Sequence, residues 1–198
     1  MNLALFDFDG TITTRETFVD FINLAVPPNK LFLGKILLAP LVLGYKLGLV
    51  SVHTIRWAVA RVGFHGMTQA DAESAGAKFS NEFLPGLIRE HAIEKMRWHQ
   101  TRGDTVVVVS AGFDLYLRHW CQRHGVELIC SSFEIEKGKL TGRYLGKQCV
   151  GKEKTRRILE RYDNKSFAIA YAYGCTPEDL DMLGIADTKY YGWQEVTC

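Results

Sequence analysis

Short apolar runs that end in acidic or small residues constrain the fold of this chain more than any other feature. The run Leu3–Phe8 ends at Asp7-Phe8-Asp9-Gly10-Thr11, the β-branched run Thr105–Val109 ends at Ser110-Ala111-Gly112, and Phe167–Tyr173 is a further run. Stretches with helical spacing separate them. Strands that alternate with helices predict an α/β fold, Rossmann-like and doubly wound, with a mostly parallel sheet. Because ligands collect at the carboxyl ends of such strands, these polar residues mark the candidate site.

Shorter patterns complete the predicted core. They indicate a strand at Glu127–Cys130, a hairpin at Phe133–Tyr144, a helix at Lys152–Arg161, a short helix from Pro177 to Leu183, and a last strand at Lys189–Tyr191.

The chain between the first and second strands is too long for one crossover. It has helical spacing over Val52–Val62 and Gln69–Phe83, and it contains no convincing strand. We therefore predict a core domain formed by residues 1–13 and 86–198, with a helical cap subdomain inserted over residues 14–85.

The segment Leu31–Val50 is almost wholly apolar but carries Lys35, Pro40 and Lys46. A membrane-spanning helix needs about 20 predominantly apolar residues, and a central lysine costs about 2.5–3.5 kcal/mol, so we do not expect this segment to cross a bilayer. Two interpretations stay open. The segment is either a buried helix pair bent at Pro40, or a hydrophobic prong in a membrane interface with Lys30, Lys35 and Lys46 reaching lipid phosphates.

Composition and charge exclude several classes of protein. The 198 residues include 24 Lys and Arg against 22 Asp and Glu, a net charge of +2, which gives no reason to expect a nucleic-acid partner. The five cysteines form no C-x-x-C pair, so neither a zinc ribbon nor a complete disulfide framework is indicated. With no signal-like opening stretch, we expect a cytoplasmic protein, peripheral at the inner face of the membrane if segment 31–50 is a prong. Composition predicts no oligomeric state.

Asp7 and Asp9 lie two residues apart at a strand terminus, and Gly10 lets the backbone turn sharply after them. Side chains two apart share a face in an extended chain, so both carboxylates can approach one ligand. Two close carboxylates repel each other unless a proton or a cation intervenes, and Mg²⁺ is a suitable hard cation. A D-x-D pair alone is also compatible with an ordinary turn in which an Asp caps the next helix.

Four motifs in this order resemble those of the haloacid-dehalogenase-like phosphatases. Asp7-Phe8-Asp9-Gly10-Thr11 matches the D-x-D-G-T signature, and Ser110 at the end of a strand matches the second motif. Gly151-Lys152-Glu153-Lys154 resembles the third motif, and Gly174-Cys175-Thr176-Pro177-Glu178-Asp179 resembles the fourth, G-D-x-x-x-D, with its first Asp replaced. Ser110-Ala111-Gly112-Phe113 and the helical cap narrow the likeness to the phosphoserine-phosphatase-like branch of subfamily IB. Segment 31–50 is loosely similar to phosphatidylglycerophosphatase C members.

The resemblance implies an Mg²⁺-dependent phosphomonoester hydrolase. Asp7 would attack phosphorus and form an aspartyl-phosphate, while Asp9 would act as general acid and base. Thr11 and Ser110, with Ala111 and Gly112, would bind the phosphoryl oxygens. A lysine would stabilise their charge, and Lys154 is favoured over Lys152 by its spacing to Ile158.

The resemblance also indicates substrate and metal contacts. Glu16 and Arg56 would contact the substrate, either a phospholipid head group or a small metabolite such as phosphoserine. Mg²⁺ would be held by Asp7, the backbone carbonyl of Asp9, Asp179 and the position of Cys175.

Cys175 is the departure from the family pattern, because a thiol suits a hard cation poorly. The alternative to an enzyme is therefore a catalytically impaired pseudoenzyme that binds a phosphorylated ligand.

Overall fold

The computed structural model of the chain describes residues 1–162 and 167–197. The strands are β1 (Leu3–Phe6), β2 (Thr105–Phe113), β3 (Glu127–Ser131), β4 (Phe133–Glu136), β5 (Lys139–Tyr144), β6 (Ala170–Gly174), β7 (Thr188–Tyr191) and β8 (Gln194–Val196). The helices are α1 (Phe18–Ala25), α2 (Pro28–Lys46), α3 (Val52–Phe64), α4 (Gln69–Lys78), α5 (Glu90–Thr101), α6 (Asp114–His124), α7 (Lys152–Arg161) and α8 (Leu180–Gly184).

Six strands form the central sheet in the order β3-β2-β1-β6-β7-β8. All neighbours are parallel except β7 and β8, and Leu3 of β1 lies opposite Thr105 on one side and Ala170 on the other. The predicted Rossmann-like α/β fold with a mostly parallel sheet is confirmed. Because β1 is central, the chain that follows it emerges in the middle of the carboxyl edge.

Both faces of the sheet are covered, as expected for parallel strands made of continuous apolar runs. Leu3 and Leu5 pack on one face with Ile158 of α7. Phe6 packs on the other face, in a cluster that also contains Phe21 of α1. Because side chains alternate along β1, this strand contributes to two separate cores, one on each face of the sheet. The core that contains Phe6 continues into the helices that follow β1.

The structure differs from the sequence prediction at the ends of the strands. β1 ends at Phe6 and β2 runs on to Phe113, with a shift in its pairing to β3 between Val109 and Phe113. The Ser110-Ala111-Gly112 sequence lies in that irregular part of the strand. β8 has no counterpart among the predicted elements. Residues 163–166 and 198, which belong to the predicted core range 86–198, lie outside the described residues.

Helices α1 to α4 occupy most of the range predicted as a cap, residues 14–85. The β4–β5 hairpin, from the core range, lies against them: the backbone N–H of Gly66 donates to the carbonyl of Leu140, and the N–H of Leu140 donates to the carbonyl of Met67. The hairpin and the helices thus form one wall beside the sheet.

Of the two interpretations of segment 31–50, the buried helix pair bent at Pro40 is wrong. A single helix, α2, runs from Pro28 to Lys46 through Pro40, and Gly34 is its one buried residue. The pyrrolidine removes only one backbone donor, and the helix continues because its other hydrogen bonds remain. Within the described parts of the chain, no helix has the length and apolar character needed to traverse a bilayer.

Candidate active site

Asp7 is the first residue after β1, and its position is fixed by the neighbouring strand. Its backbone N–H donates to the carbonyl of Tyr173 in β6 at 2.9 Å. The chain then turns, with Gly10 at a φ of +80°. A Cβ at Gly10 would lie 2.8 Å from Sγ of Cys175, so a larger residue would be strained and would also displace the thiol.

Lys154 joins two carboxylates in the interior of the site. Its Nζ lies 2.6 Å from Oδ1 of Asp7 and 2.6 Å from Oδ1 of Asp179, and all three residues are buried. The hydroxyl of Thr11 donates to the other oxygen of Asp7 at 3.1 Å. Lys152, the alternative in the third motif, is exposed. The geometry therefore favours Lys154 as the lysine beside the reacting carboxylate.

Asp179 organises the loop that follows β6. Its Oδ2 accepts hydrogen bonds from the backbone N–H of Cys175 at 3.1 Å and from the N–H and hydroxyl of Thr176 at 3.0 and 2.9 Å. A Cβ at Gly174 would lie 2.5 Å from Cβ of Asp179, so this close approach requires glycine. Both oxygens of Asp179 are therefore already bound within the protein.

Burial and the shared lysine set the protonation of this group. Burial raises the pKa of Asp7 to about 7, although Lys154 acts in the opposite direction. Burial also disfavours the charged forms of Asp179 and Lys154. Their mutual attraction outweighs it, so the pKa of Asp179 is lowered and that of Lys154 is raised. Lys154 is therefore a fixed positive charge, and Asp7 is the group that can change its charge near neutral pH.

Cys175 lies close to the carboxylates of Asp7 and Asp179. A ligand atom from each of Asp7, Cys175 and Asp179 can be chosen so that all three lie within 4.8 Å of one another. The thiol points at the carbonyl oxygen of Asp9, 3.6 Å away, and burial raises its pKa, which keeps it protonated.

These donors do not fit Mg²⁺ as a set. The ion demands a near-octahedral shell of hard oxygens. One position here offers a neutral sulfur, and both oxygens of Asp179 are already hydrogen-bonded. The thiol also donates toward the carbonyl of Asp9, the backbone oxygen that would be a ligand.

Asp9 is held by a chain of hydroxyl groups that sequence reasoning missed. Its Oδ1 accepts from the backbone N–H of Thr17 at 3.0 Å and from the Thr17 hydroxyl at 2.6 Å. The hydroxyl of Tyr116 lies 3.1 Å from that of Thr17. Because a carboxylate only accepts, Thr17 donates to Asp9, and Tyr116 must donate to Thr17. Burial raises the pKa of Tyr116, so its hydroxyl keeps the proton it donates.

As a result, the two oxygens of the Asp9 carboxyl group are not equivalent. Both donors from Thr17 fall on Oδ1, so the acid form of Asp9 carries its proton on Oδ2. Burial raises the pKa of Asp9 to about 6, and the Thr17 hydrogen bonds partly oppose that rise. A group with this pKa exchanges its proton close to neutral pH, which suits a general acid and base.

Ser110 and its neighbours form the adjacent wall. Ser110 is buried, and its Oγ accepts from the backbone N–H of Gly112 at 3.0 Å. A Cβ at Gly112 would lie 2.5 Å from the hydroxyl of Tyr116, so glycine is needed for the Tyr116 chain. Ala111 is partly buried between them. Within the described residues, no direct hydrogen bond joins Ser110 to Asp7.

Arg56 connects helix α3 to the loop that follows β6. Its guanidinium lies 2.5 Å from Oε2 of Glu16 and 3.7 Å from Oε2 of Glu178, which follows β6. Arg56 is buried, whereas the side chain of Glu16 is 58% exposed. Burial disfavours the charged form of Arg56, but the carboxylates outweigh this effect and raise its pKa. Glu16 and Arg56, each predicted as a substrate contact, are thus brought together, and Glu178, within the fourth motif, joins them.

Comparisons with known proteins found a relative by sequence and similar folds among solved structures. The chain is 31% identical to Protein CicA of Caulobacter vibrioides over 195 residues, and the alignment covers 96% of this chain and 85% of that protein. Among solved structures, a protein of unknown function from Bordetella pertussis Tohama I superposes with a TM-score of 0.75 at 18% identity, over 96% of this chain and 89% of the other. A phospho-aspartyl intermediate analogue of phosphoserine phosphatase superposes with a TM-score of 0.66 at 20% identity, over 96% and 85%.

The superposition on phosphoserine phosphatase confirms, at the level of the fold, the expected likeness to the phosphoserine-phosphatase-like branch. A model of the haloacid dehalogenase-like hydrolases matches residues 4–184, which contain all four motifs. The chain therefore belongs to the haloacid dehalogenase-like hydrolase family.

Proposed function

We propose that this chain is a phosphatase that hydrolyses phosphomonoesters through a phosphorylated Asp7. The observation that carries the proposal is the buried Asp7–Lys154–Asp179 arrangement, with the Thr11 hydroxyl on the second oxygen of Asp7. A carboxylate held beside a permanent ammonium group is a suitable nucleophile toward an anionic phosphoryl group, since the ammonium offsets the charge repulsion.

The reaction divides into two displacements. In the first, a carboxylate oxygen of Asp7 forms a bond to phosphorus, the bond to the leaving oxygen breaks, and Oδ2 of Asp9 gives that oxygen its proton. In the second, Asp9 takes a proton from water, the water oxygen bonds to phosphorus, and the bond to Asp7 breaks to release phosphate. Lys154 and Thr11 orient Asp7, and Thr17 keeps the proton of Asp9 on the oxygen that reacts.

Glu16 and Arg56 are the proposed substrate contacts, because they lie beside Asp9 and influence its pKa. Both substrate classes indicated by the sequence, a small metabolite such as phosphoserine and a phospholipid head group, carry polar groups next to the phosphate. The Glu16–Arg56 pair offers such groups one charge of each sign.

The experiment uses a generic aryl phosphate and replaces the one residue that departs from the family. In Cys175→Asp, phosphate release should require Mg²⁺, and adding Asp7→Asn should abolish it. No turnover that depends on Asp7, in Cys175→Asp and across a broad panel of phosphates, would refute the phosphatase proposal.

Mg²⁺ affinity gives a second, separate measurement. Cys175→Asp should bind Mg²⁺ at least about tenfold more tightly in a calorimetric titration, because a hard anionic oxygen replaces a neutral sulfur. Cys121→Ser, a change at a buried cysteine in α6, should leave the affinity unchanged. Equal affinity in the original chain and in Cys175→Asp would show that position 175 is not a metal ligand.

Cys175 also favours a second candidate function, a pseudoenzyme that binds a phosphorylated ligand. This alternative predicts that inorganic phosphate or a phosphonate raises the melting temperature, with no phosphate release even in Cys175→Asp.

A further inference from the structure

Helices α1, α2 and α3 line a cavity of about 650 Å³, open to solvent on one side, beside the candidate active site. This volume lies within the range of small-molecule sites, roughly 300–1,000 Å³. Its walls are mainly apolar, with Val26 from the end of α1, Leu31 and Leu38 from α2, and Val59 from α3. The cavity therefore suits an apolar ligand or an apolar part of one.

One end of the cavity is the proposed substrate-contacting pair. Glu16 and Arg56 line it together with Phe18, and the Arg56 guanidinium lies 5.7 Å from the centre of the Phe18 ring. The same two charged residues influence the pKa of Asp9. A molecule with its phosphate at Asp7 thus has an apolar space directly beyond its first polar groups.

The outer side of α2 is apolar and uncovered. Phe32, Leu33, Ile36 and Leu37 are between 60% and 67% exposed. Their spacing places them on one stripe of the helix. Contiguous exposed apolar patches of this kind mark surfaces that bind a partner or a membrane.

The charges on α2 favour an anionic lipid surface as that partner. The helix contains Lys30, Lys35 and Lys46 and no acidic residue. Lys30 donates to the backbone carbonyl of His65 at 2.6 Å, and Lys35 and Lys46 line the cavity as well. A helix with an apolar stripe, several lysines and no acidic residue is typical of the interface of a bilayer.

We propose that α2 lies on an anionic lipid surface, and that the cavity beneath it holds the apolar chain of an amphiphilic phosphomonoester whose phosphate is at Asp7. This inference rests on the proposed phosphatase function for the position of the phosphate. It selects the lipid class over a small water-soluble metabolite, because such a metabolite would leave both the cavity and the stripe without a role.

Binding of alkyl phosphonates tests the cavity without any turnover. In a calorimetric series of increasing chain length, each methylene should tighten binding roughly three- to fourfold until the cavity is full. Val42→Trp places a bulky ring on the cavity wall and should remove this dependence on chain length. Leu37→Trp, on the outer stripe of the same helix, should retain it.

Sedimentation with vesicles tests the outer stripe. The chain should bind vesicles of phosphatidylcholine with phosphatidylglycerol, and it should bind phosphatidylcholine alone much more weakly. Leu33→Glu with Leu37→Glu should weaken binding at least about tenfold. The matched control, Leu145→Glu with Leu159→Glu, changes exposed leucines outside helices α1 to α4 and should have no effect.

The outcomes separate this inference from the proposed function. Phosphonate affinity that is independent of chain length, or equal vesicle binding by the stripe variant and the control, would overturn the inference even if aryl phosphate is hydrolysed. A dimer that Leu37→Glu dissociates would also overturn it, because a second copy would then cover the stripe. Binding that depends on chain length in a protein that never releases phosphate would support the cavity and refute the phosphatase proposal.

Discussion

At the carboxyl edge of the sheet, the charges of Asp7, Lys154 and Asp179 are buried and paired: Lys154 binds the two carboxylates, and each of their oxygens accepts a hydrogen bond. On α2, the relation is reversed, because apolar side chains such as Leu37 face solvent. The first region is internally satisfied and the second is not. The buried charges have their partners within the chain, whereas the exposed apolar side chains of α2 would be buried only by a partner from outside the chain.

The largest effect should come from removing the shared cation. Lys154→Met leaves two buried carboxylates without their counter-charge, so the free energy of unfolding should fall by about 3–5 kcal/mol and catalysis should be lost. Urea denaturation measures the first and phosphate release the second. Lys152→Met, at the exposed position of the same helix, should stay within about 0.5 kcal/mol of the parent. A stable Lys154→Met protein would contradict the contrast between the two regions.

Truncating apolar residues sharpens the same contrast. Phe21 is fully buried in α1, against the rings of Phe64 and Tyr116, so Phe21→Ala should lower the free energy of unfolding by about 3–5 kcal/mol. Leu37→Ala on α2 should change it by no more than about 0.5 kcal/mol in the absence of lipid. Thermal or urea unfolding decides between them. If Leu37→Ala proved as costly as Phe21→Ala, the outer face of α2 would have a covering partner within the chain.

The smallest effect concerns the hydroxyl chain that orients Asp9. Tyr116→Phe removes one neutral hydrogen bond to Thr17, so kcat in the Cys175→Asp background should fall roughly two- to tenfold, with little change in KM. Without that donor, Thr17 orients Asp9 less strictly, and the pH profile of kcat should shift. Tyr144→Phe is the matched control, because the Tyr144 hydroxyl is buried and has no hydrogen-bond partner among the described residues. Equal kcat values for the two variants would mean that Tyr116 is only a packing residue.

The sequence alone was sufficient for the class of fold and for part of the candidate site. Apolar runs such as Thr105–Val109 have few ways to be buried other than as central strands covered on both faces. Parallel strands bring their carboxyl ends to one edge, which predicted a site beside Asp7, and the resemblance to the four motifs implied that Lys154 and Asp179 join it. The spacing of Lys154 to Ile158, as in the third motif of the family, also favoured Lys154 over Lys152, and the structure buries Lys154 and exposes Lys152.

Tertiary structure decided what depends on side chains that are distant in sequence. No local pattern links Tyr116 to Thr17, because their hydrogen bond joins residues 99 positions apart. The apolar residues of segment 31–50 are equally compatible with a buried helix and with an exposed one. Which face of α2 is covered depends on how α1 and α3 pack against it. They line the cavity on one side of α2 and leave its other side exposed to solvent. Burial of an apolar residue is favourable, but only the packed chain shows whether another part of the protein is present to bury it.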